Sequence, residues 1–276
     1  MKMSHFSRWI LILSVVLFAQ GVVAKDLIMT GPPREKPEAG KKLYGPVADH
    51  LSKLLGKKVV YEHPKNWLNY QRDMRNDKYD IVFDGPHFIS WRMAHLGHEV
   101  IVKLPGTLVF YLATAKDDAE IKTTNDLVAK KICGISPPNL STLSVIAAYP
   151  NPVRQPVIKG IKGGMGAVHK SYKAGKCRAA VFRRAFFKKK LPQPARDSYK
   201  ILYTSKPVPN QAFSVSKRIT ARERSLIIQS FTLGDGVKAT SGILRRFGGK
   251  AKHLINANTE EFKGHNLLLE GVIFGW

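Results

Sequence analysis

Tyr79-Asp80-Ile81-Val82-Phe83-Asp84-Gly85-Pro86-His87 reads as a buried strand that stops at a Gly-Pro turn, with a carboxylate just before the stop. Open α/β sheets hold small ligands at such strand ends. A second Gly-Pro junction, Leu43-Tyr44-Gly45-Pro46, lies upstream. It opens a helix predicted over 46–55, whose apolar residues at 47, 48, 51, 54 and 55 share one face and whose stop is Gly56. The two turns, one bearing Asp84 and the other Tyr44, could converge on one cleft. Nothing around them resembles a catalytic nucleophile, so the chain is expected to hold a ligand without transforming it.

Working outward, short apolar runs alternate with helical patterns from Asp26 onward, which is the grammar of βαβ units. Strands are expected over 26–30, 58–62, 79–83, 100–104 and 107–114, then 131–135, 156–161, 177–182, 200–204 and 211–216. Helices fall between most of them. After residue 216 the pattern turns wholly helical, with a capping box at Thr220-Ala221-Arg222-Glu223 and a further helix over 237–247. The strands at 107–114 and 211–216 flank a block large enough to be a separate lobe. The expected fold is therefore α/β and two-lobed, with two mixed sheets flanked by helices and joined by two crossover strands. One lobe is discontinuous, 25–112 plus 206–276, and 113–205 forms the inserted lobe.

The first 24 residues look like a secretory signal. Lys2 and Arg8 precede the apolar run from Trp9 to Phe18, and Val22-Val23-Ala24 supplies small residues for cleavage after Ala24. The apolar run is short for a bilayer span, although an uncleaved anchor stays open. The expected location is the periplasm. The formal charge of +25 falls to +23 once residues 1–24 are removed. Within 113–205, 18 Lys and Arg stand against 5 Asp and Glu, a net +13, so an anion entering a cleft would meet a positive wall. The basic runs lack interleaved aromatics and a recognisable module, which disfavours nucleic acid as the first-choice partner.

Cys133 and Cys177 flank two strand-like runs. In an oxidising compartment they make a disulfide candidate, with two buried thiols as the alternative. His95 and His98 have helical spacing that could chelate a metal, but the nearby helix end strongly favours surface residues; no metal, cofactor or catalytic group is expected. The loop Ser136-Pro137-Pro138-Asn139, followed by Leu140-Ser141-Thr142-Leu143, follows a strand and opens a helix. Its first-turn N–H groups and the Ser141 and Thr142 hydroxyls could grip an anion, or Asn139 could simply cap the helix.

The order of these segments resembles the solute-binding proteins of phosphate, phosphite and phosphonate ABC importers, which belong to the type II periplasmic binding proteins. The resemblance rests on Gly31-Pro32-Pro33-Arg34, Leu43 to Ala48, Tyr79 to Pro86, Asn139 to Leu143 and Ala174-Gly175-Lys176-Cys177. It implies that Tyr44 and Tyr111 line the cleft, that Asp84, Gly85 and Pro86 form a turn at its floor, and that Asn139, Ser141 and Thr142 receive ligand oxygens. Asp84 would bind a ligand amine, accept from a protonated oxygen or hold its turn. The chain departs from the family at Arg178, where an acidic residue is common, which favours a plain oxyanion over an aminophosphonate. Arg183 could form a bidentate pair with that oxyanion, although alternation does not settle which of Arg178, Arg183 and Arg184 faces inward. The implied function is capture of a phosphorus oxyanion by hinge closure and delivery to an inner-membrane ABC permease, by a protein that is a monomer. The alternatives are the ligand-binding partner of a membrane sensor, or a basic exported protein that binds polyanions.

Overall fold

The computed structural model describes residues 25–271, so the signal peptide and its cleavage after Ala24 lie outside the described residues. The chain opens with β1 (Leu27–Thr30), α1 (Pro37–Leu55), β2 (Val59–Tyr61), α2 (Trp67–Arg75), β3 (Ile81–Asp84), α3 (Pro86–Leu96) and β4 (Glu99–Lys103). It continues through β5 (Thr107–Leu108), β6 (Phe110–Ala115), β7 (Lys131–Ile135), α4 (Leu140–Ile146), β8 (Val157–Ile161), α5 (Met165–Lys173) and β9 (Ala179–Arg183). Then come α6 (Arg184–Lys190), α7 (Gln193–Asp197), β10 (Tyr199–Thr204), β11 (Val208–Pro209), β12 (Ala212–Val215) and α8 (Ala221–Leu233). The described chain closes with α9 (Gly236–Ala239), α10 (Ser241–Ile243), β13 (Ile255–Asn256) and α11 (Leu267–Glu270).

Two mixed sheets result, as the alternation predicts. One has the order β13-β4-β12-β3-β1-β2 and the other β10-β6-β9-β7-β8. The chain passes between them twice, and the two passages pair with each other as the short antiparallel ribbon of β5 and β11. Helices cover the sheets.

Registers decide what meets at the sheet ends. In the first sheet Met29 lies opposite Ile81 and Ala212 opposite Asp84, so the segments after β1 and β3 and the residue before β12 emerge side by side. In the second, Ile135 lies opposite Ile161 and Phe110 opposite Arg183. Cys133 on β7 is bonded to Cys177, just before β9, with Cα atoms 5.6 Å apart. The bond thereby ties two neighbouring parallel strands.

Local sequence explains most of the elements. Thr220 caps α8 through its hydroxyl, and Glu223 returns the bond in a complete capping box. Helix α1 is the main departure from expectation: it starts at Pro37 and runs through Pro46, where the sequence predicts its beginning. Proline forfeits one helical hydrogen bond. Pro46 faces solvent, and Tyr44, Val47, Ala48 and Leu51 bury on the sheet, so packing along both sides of the proline outweighs that loss. The helix expected over 237–247 is broken into α9, α10 and a π turn, Leu244–Gly248.

The first sheet carries a core of α1 and α8 residues, among them Leu51, Ile227 and Phe231. On its other face Tyr70, Phe88 and Trp91 pack with Leu143 of α4 and Leu269 of α11, so an α4 residue of the segment between the crossovers seats in a core built on the first sheet. No helix among the described residues is long and apolar enough to cross a membrane.

Candidate functional site

A cavity of about 270 Å³ lies between the carboxyl ends of strands from both sheets. The first sheet supplies Arg34 after β1, Asp84, Gly85 and His87 at the end of β3, and Gln211 before β12. The π turn adds Arg246 and Phe247. From the second sheet come Asn139 and Ser141 after β7, Gly164 and Met165 after β8, and Arg183 at the end of β9. Such strand ends are where α/β sheets place ligands, because helix N-termini and loops rather than side-chain layers border them.

Cations dominate this wall. The Arg34 guanidinium donates from Nη1 to Gln211 Oε1 at 3.2 Å and its Nη2 stands 3.9 Å from Asp84 Oδ1. Its buried Nε and Nη2 make no hydrogen bond among the described residues. Two guanidiniums, those of Arg34 and Arg246, stand over the Phe247 ring, each 5.1 Å from its centroid. Arg246 also sits 3.5 Å from Glu35. Burial pushes the Arg183 guanidinium below its ordinary pKa, and no carboxylate among the described residues pairs with it. The positive surplus is therefore local to the cavity, not just a property of the surface.

Asp84 is already occupied. It is fully buried; one oxygen accepts from Tyr70 Oη and from Arg92 Nη1 at 3.1 Å, and the other from the Gly85 N–H at 2.7 Å. Burial pushes its carboxyl up, and the Arg92 and Arg34 guanidiniums oppose that shift. Arg92, itself only 1% exposed, has Asp84 as its single carboxylate partner among the described residues. A buried cation of this kind requires its counter-ion.

The helix starts differ from each other. Asn139 Oδ1 accepts from the Ser141 N–H at 3.1 Å and from the Ser141 hydroxyl at 2.7 Å, so this residue caps α4. Its amide NH2 has no acceptor among the described residues and remains a donor in the cavity wall. The Thr142 hydroxyl donates to the Ile135 carbonyl at 2.6 Å. Helix α5, by contrast, begins at Gly164 with no side-chain cap, after Gly163 and Gly164 take φ of 100° and 84°. Those angles admit glycine readily. The open first turn of α5 presents N–H groups at the cavity, a disposition that favours anions.

His87 completes the wall. It is 3% exposed, its Nε2 lies 3.0 Å from the Pro138 carbonyl, and its Nδ1 has no hydrogen-bond partner among the described residues. Burial pushes its pKa down to about 3, so the ring is neutral.

Among the residues predicted from sequence, Asp84, Gly85, Asn139, Ser141 and Arg183 come together around the cavity. Tyr44, Pro86, Tyr111 and Thr142 do not line it. Tyr44 is fully buried against Gly31, where an added Cβ would stand 2.8 Å from the tyrosine ring, and it stacks on Tyr61. Pro86 opens α3. Tyr111 meets the edge of Phe187 in the core of the second sheet. Arg178 pairs with Asp118 and Glu120, Arg184 is exposed, and Arg183 is the arginine of that group that faces the cavity. His95 and His98 turn to different carboxylates, Glu270 and Asp77. No group of three or more metal-type ligands occurs among the described residues.

Sequence reasoning missed Arg34, Gln211, Arg246 and the α5 start. Two of them left a trace: Arg34 closes a Gly-Pro-Pro turn directly after a strand, and Lys162-Gly163-Gly164-Met165-Gly166 is a glycine-rich turn between a strand and a helix. Gln211 and Arg246 carry no local signal.

Residues 29–261 match the family model described as "ABC transporter, phosphonate, periplasmic substrate-binding protein". No curated protein matches the chain by sequence. Among solved structures, a Xanthomonas citri protein bound to ATP superposes with a TM-score of 0.69 at 11% identity, over 90% of this chain and 96% of that one. PhnD1 of Prochlorococcus marinus in complex with methylphosphonate gives 0.59 at 16% identity, over 88% and 97%. A binding-protein component of a Pseudomonas aeruginosa ABC phosphonate transporter gives 0.58 at 13% identity, over 86% and 83%. At these identities the likeness is one of fold.

Proposed function

We propose, from the premise that this chain belongs to the family of periplasmic substrate-binding proteins of phosphonate ABC transporters, that it captures a compact phosphorus oxyanion between its two sheets. The carrying observation is the Arg183 guanidinium, half-buried on the cavity wall without a carboxylate partner among the described residues, opposite Arg34, whose Nε and Nη2 make no hydrogen bond among them. A bound anion would satisfy both guanidiniums, the Asn139 amide and the first N–H groups of α5. Cavities for drug-sized ligands run from roughly 300 to 1,000 Å³. The cavity here, about 270 Å³, suits phosphate, phosphite or a small alkylphosphonate better than a nucleotide.

The mechanism is hinge closure about the β5–β11 ribbon, with residues 25–112 plus 206–276 moving against residues 113–205. Arg34, Gln211 and Arg246 ride on the first lobe; Asn139, the start of α5 and Arg183 ride on the second. An anion that bridges both sets binds the closed form better than the open one, and that difference in affinity drives closure. The loaded monomer then delivers the anion to an inner-membrane permease. The exported form would begin at Lys25, after cleavage at Ala24.

Titration calorimetry with phosphate, phosphite, methylphosphonate, 2-aminoethylphosphonate, sulfate and ATP tests the reading. Saturable binding of a phosphorus anion is expected, and Arg183→Gln should weaken it roughly 10- to 150-fold, the value of a lost charge-assisted hydrogen bond. If none of the phosphorus anions binds, or if Arg183→Gln and the surface change Lys189→Ala weaken binding equally, the site is wrong.

A further inference from the structure

We infer that His87 is a specificity-determining acceptor: its Nδ1 takes a hydrogen bond from a hydroxyl on the ligand, so the cavity selects the singly protonated, P–OH form of its oxyanion over the fully ionised one. This rests on the reading of the cavity as an oxyanion site.

The geometry fixes the tautomer. Nε2 faces the Pro138 carbonyl at 3.0 Å, and a carbonyl can only accept, so the ring proton sits on Nε2. Nδ1 is then a lone pair. It is buried, and none of the described residues donates to it. Buried polar atoms nearly always have a partner, so one that lacks it beside a ligand cavity marks a bond left for the ligand. Nδ1 lies on the Gly85 side of the ring: a Cβ on Gly85 would stand 2.9 Å from Nδ1 but 4.0 Å from Nε2. Gly85 is itself a cavity wall. Any side chain at position 85 would close that edge of the ring.

The acceptor that the sequence singles out, Asp84, cannot take this part. Tyr70, Arg92, the Gly85 N–H and Arg34 already surround both its oxygens. His87 cannot become a donor at Nδ1 without acquiring charge. Arg34 and Arg92 oppose that charge, and the carboxylate at the end of β3, Asp84, is engaged by the same two arginines. The arginines, the Asn139 amide and the first N–H groups of α5 on the cavity wall donate. A dianion would satisfy those donors yet set a lone pair against Nδ1, whereas a monoanion with one hydroxyl satisfies all of them. Sulfate, which has the same shape and no proton at neutral pH, should therefore bind more weakly than a protonated phosphonate, by roughly 5- to 150-fold for one unfilled buried acceptor.

Calorimetry with the unmodified protein decides the matter, using methylphosphonate and sulfate between about pH 6 and 9 in two buffers of different ionisation heat. Above the second ionisation of methylphosphonate, binding should take up one proton per ligand, and the affinity should fall tenfold per pH unit. Arginine side chains keep their charge over this range, and burial pushes His265 below its ordinary value. His87→Phe, which keeps a flat ring and removes the acceptor, should abolish both the proton uptake and the preference over sulfate. The closely related His87→Gln, which retains an acceptor, should keep part of that preference.

Methylphosphonate binding that releases a proton below the second ionisation would overturn the inference and leave the oxyanion site standing. So would sulfate binding of equal strength. Sulfate binding accompanied by proton uptake would place the proton on His87 and also overturn it. Failure of every phosphorus anion to bind at any pH would instead remove the oxyanion site, and this inference with it.

Discussion

Asp84→Asn separates a carboxylate that holds the protein together from one that touches ligand. Asp84 and Arg92 are 0% and 1% exposed, and no other carboxylate among the described residues pairs with Arg92. The substitution preserves side-chain size but leaves the guanidinium facing an amide and the Tyr70 hydroxyl. Breaking a buried ion pair on one side costs about 3–5 kcal/mol, most of it the desolvated charge left behind. For a chain of this length each kcal/mol lowers Tm by roughly 2–4 °C, so a fall of roughly 6–20 °C is expected. Urea denaturation of wild type, Asp84→Asn, Arg92→Met and the double variant gives the coupling directly, and about 2–3 kcal/mol is expected, near the upper end for residues in contact. Methylphosphonate affinity should change less than stability, because both Asp84 oxygens are already engaged by Tyr70, Arg92 and the Gly85 N–H. A Tm within about 2 °C of wild type together with a large loss of affinity would refute the assignment, since the charge would then be serving the ligand and not Arg92.

Acid should destabilise the protein through two buried histidines. Burial holds His87 and His98 neutral in the fold, each pushed down to about 3, whereas in the unfolded chain they titrate near 6.5. Below about pH 6.5 the unfolded state binds more protons, so the contribution is complete above that value and is lost as pH falls toward 3, by up to about 1.4 kcal/mol per pH unit for each ring. Urea midpoints between about pH 7 and 4.5 should show this slope, and His98→Gln should reduce it. Cys133→Ser with Cys177→Ser opens a link across a sequence separation of 44 residues and should lower unfolding free energy by about 4 kcal/mol; thermal melts with and without reductant check it. Thr220→Ala removes the capping box of α8 and should cost about 1 kcal/mol in the same denaturation assay, with ligand affinity unchanged.

Individual elements were largely legible in the chain because they depend on near neighbours. The Tyr79–His87 run announces a strand with a turn because buried apolar residues meet Gly-Pro within a few positions. The Thr220–Glu223 box announces α8 because both partners of the cap lie three residues apart. Helix α1 shows the limit. Pro46 looks like a start, and only the burial of Tyr44 on the first sheet explains why the helix passes through it. The same holds at the site. Asp84 was visible as a carboxylate at a strand end, but the residues that occupy it come from α2 and α3 and from the turn after β1.

By itself, then, the sequence determined the α/β alternation, the passage of the chain between two sheets and the positive charge, all properties of local pattern or of composition. Tertiary structure decided which loops meet. The registers of β1, β3 and β12 bring Arg34, Asp84 and Gln211 side by side, and the second sheet carries Arg183 and the uncapped start of α5 to the opposite wall. Whether a polar atom is spent depends on how α2, α3 and the turn after β1 pack together: Tyr70, Arg92 and Arg34 surround Asp84, whereas His87 Nδ1 is left without a partner among the described residues.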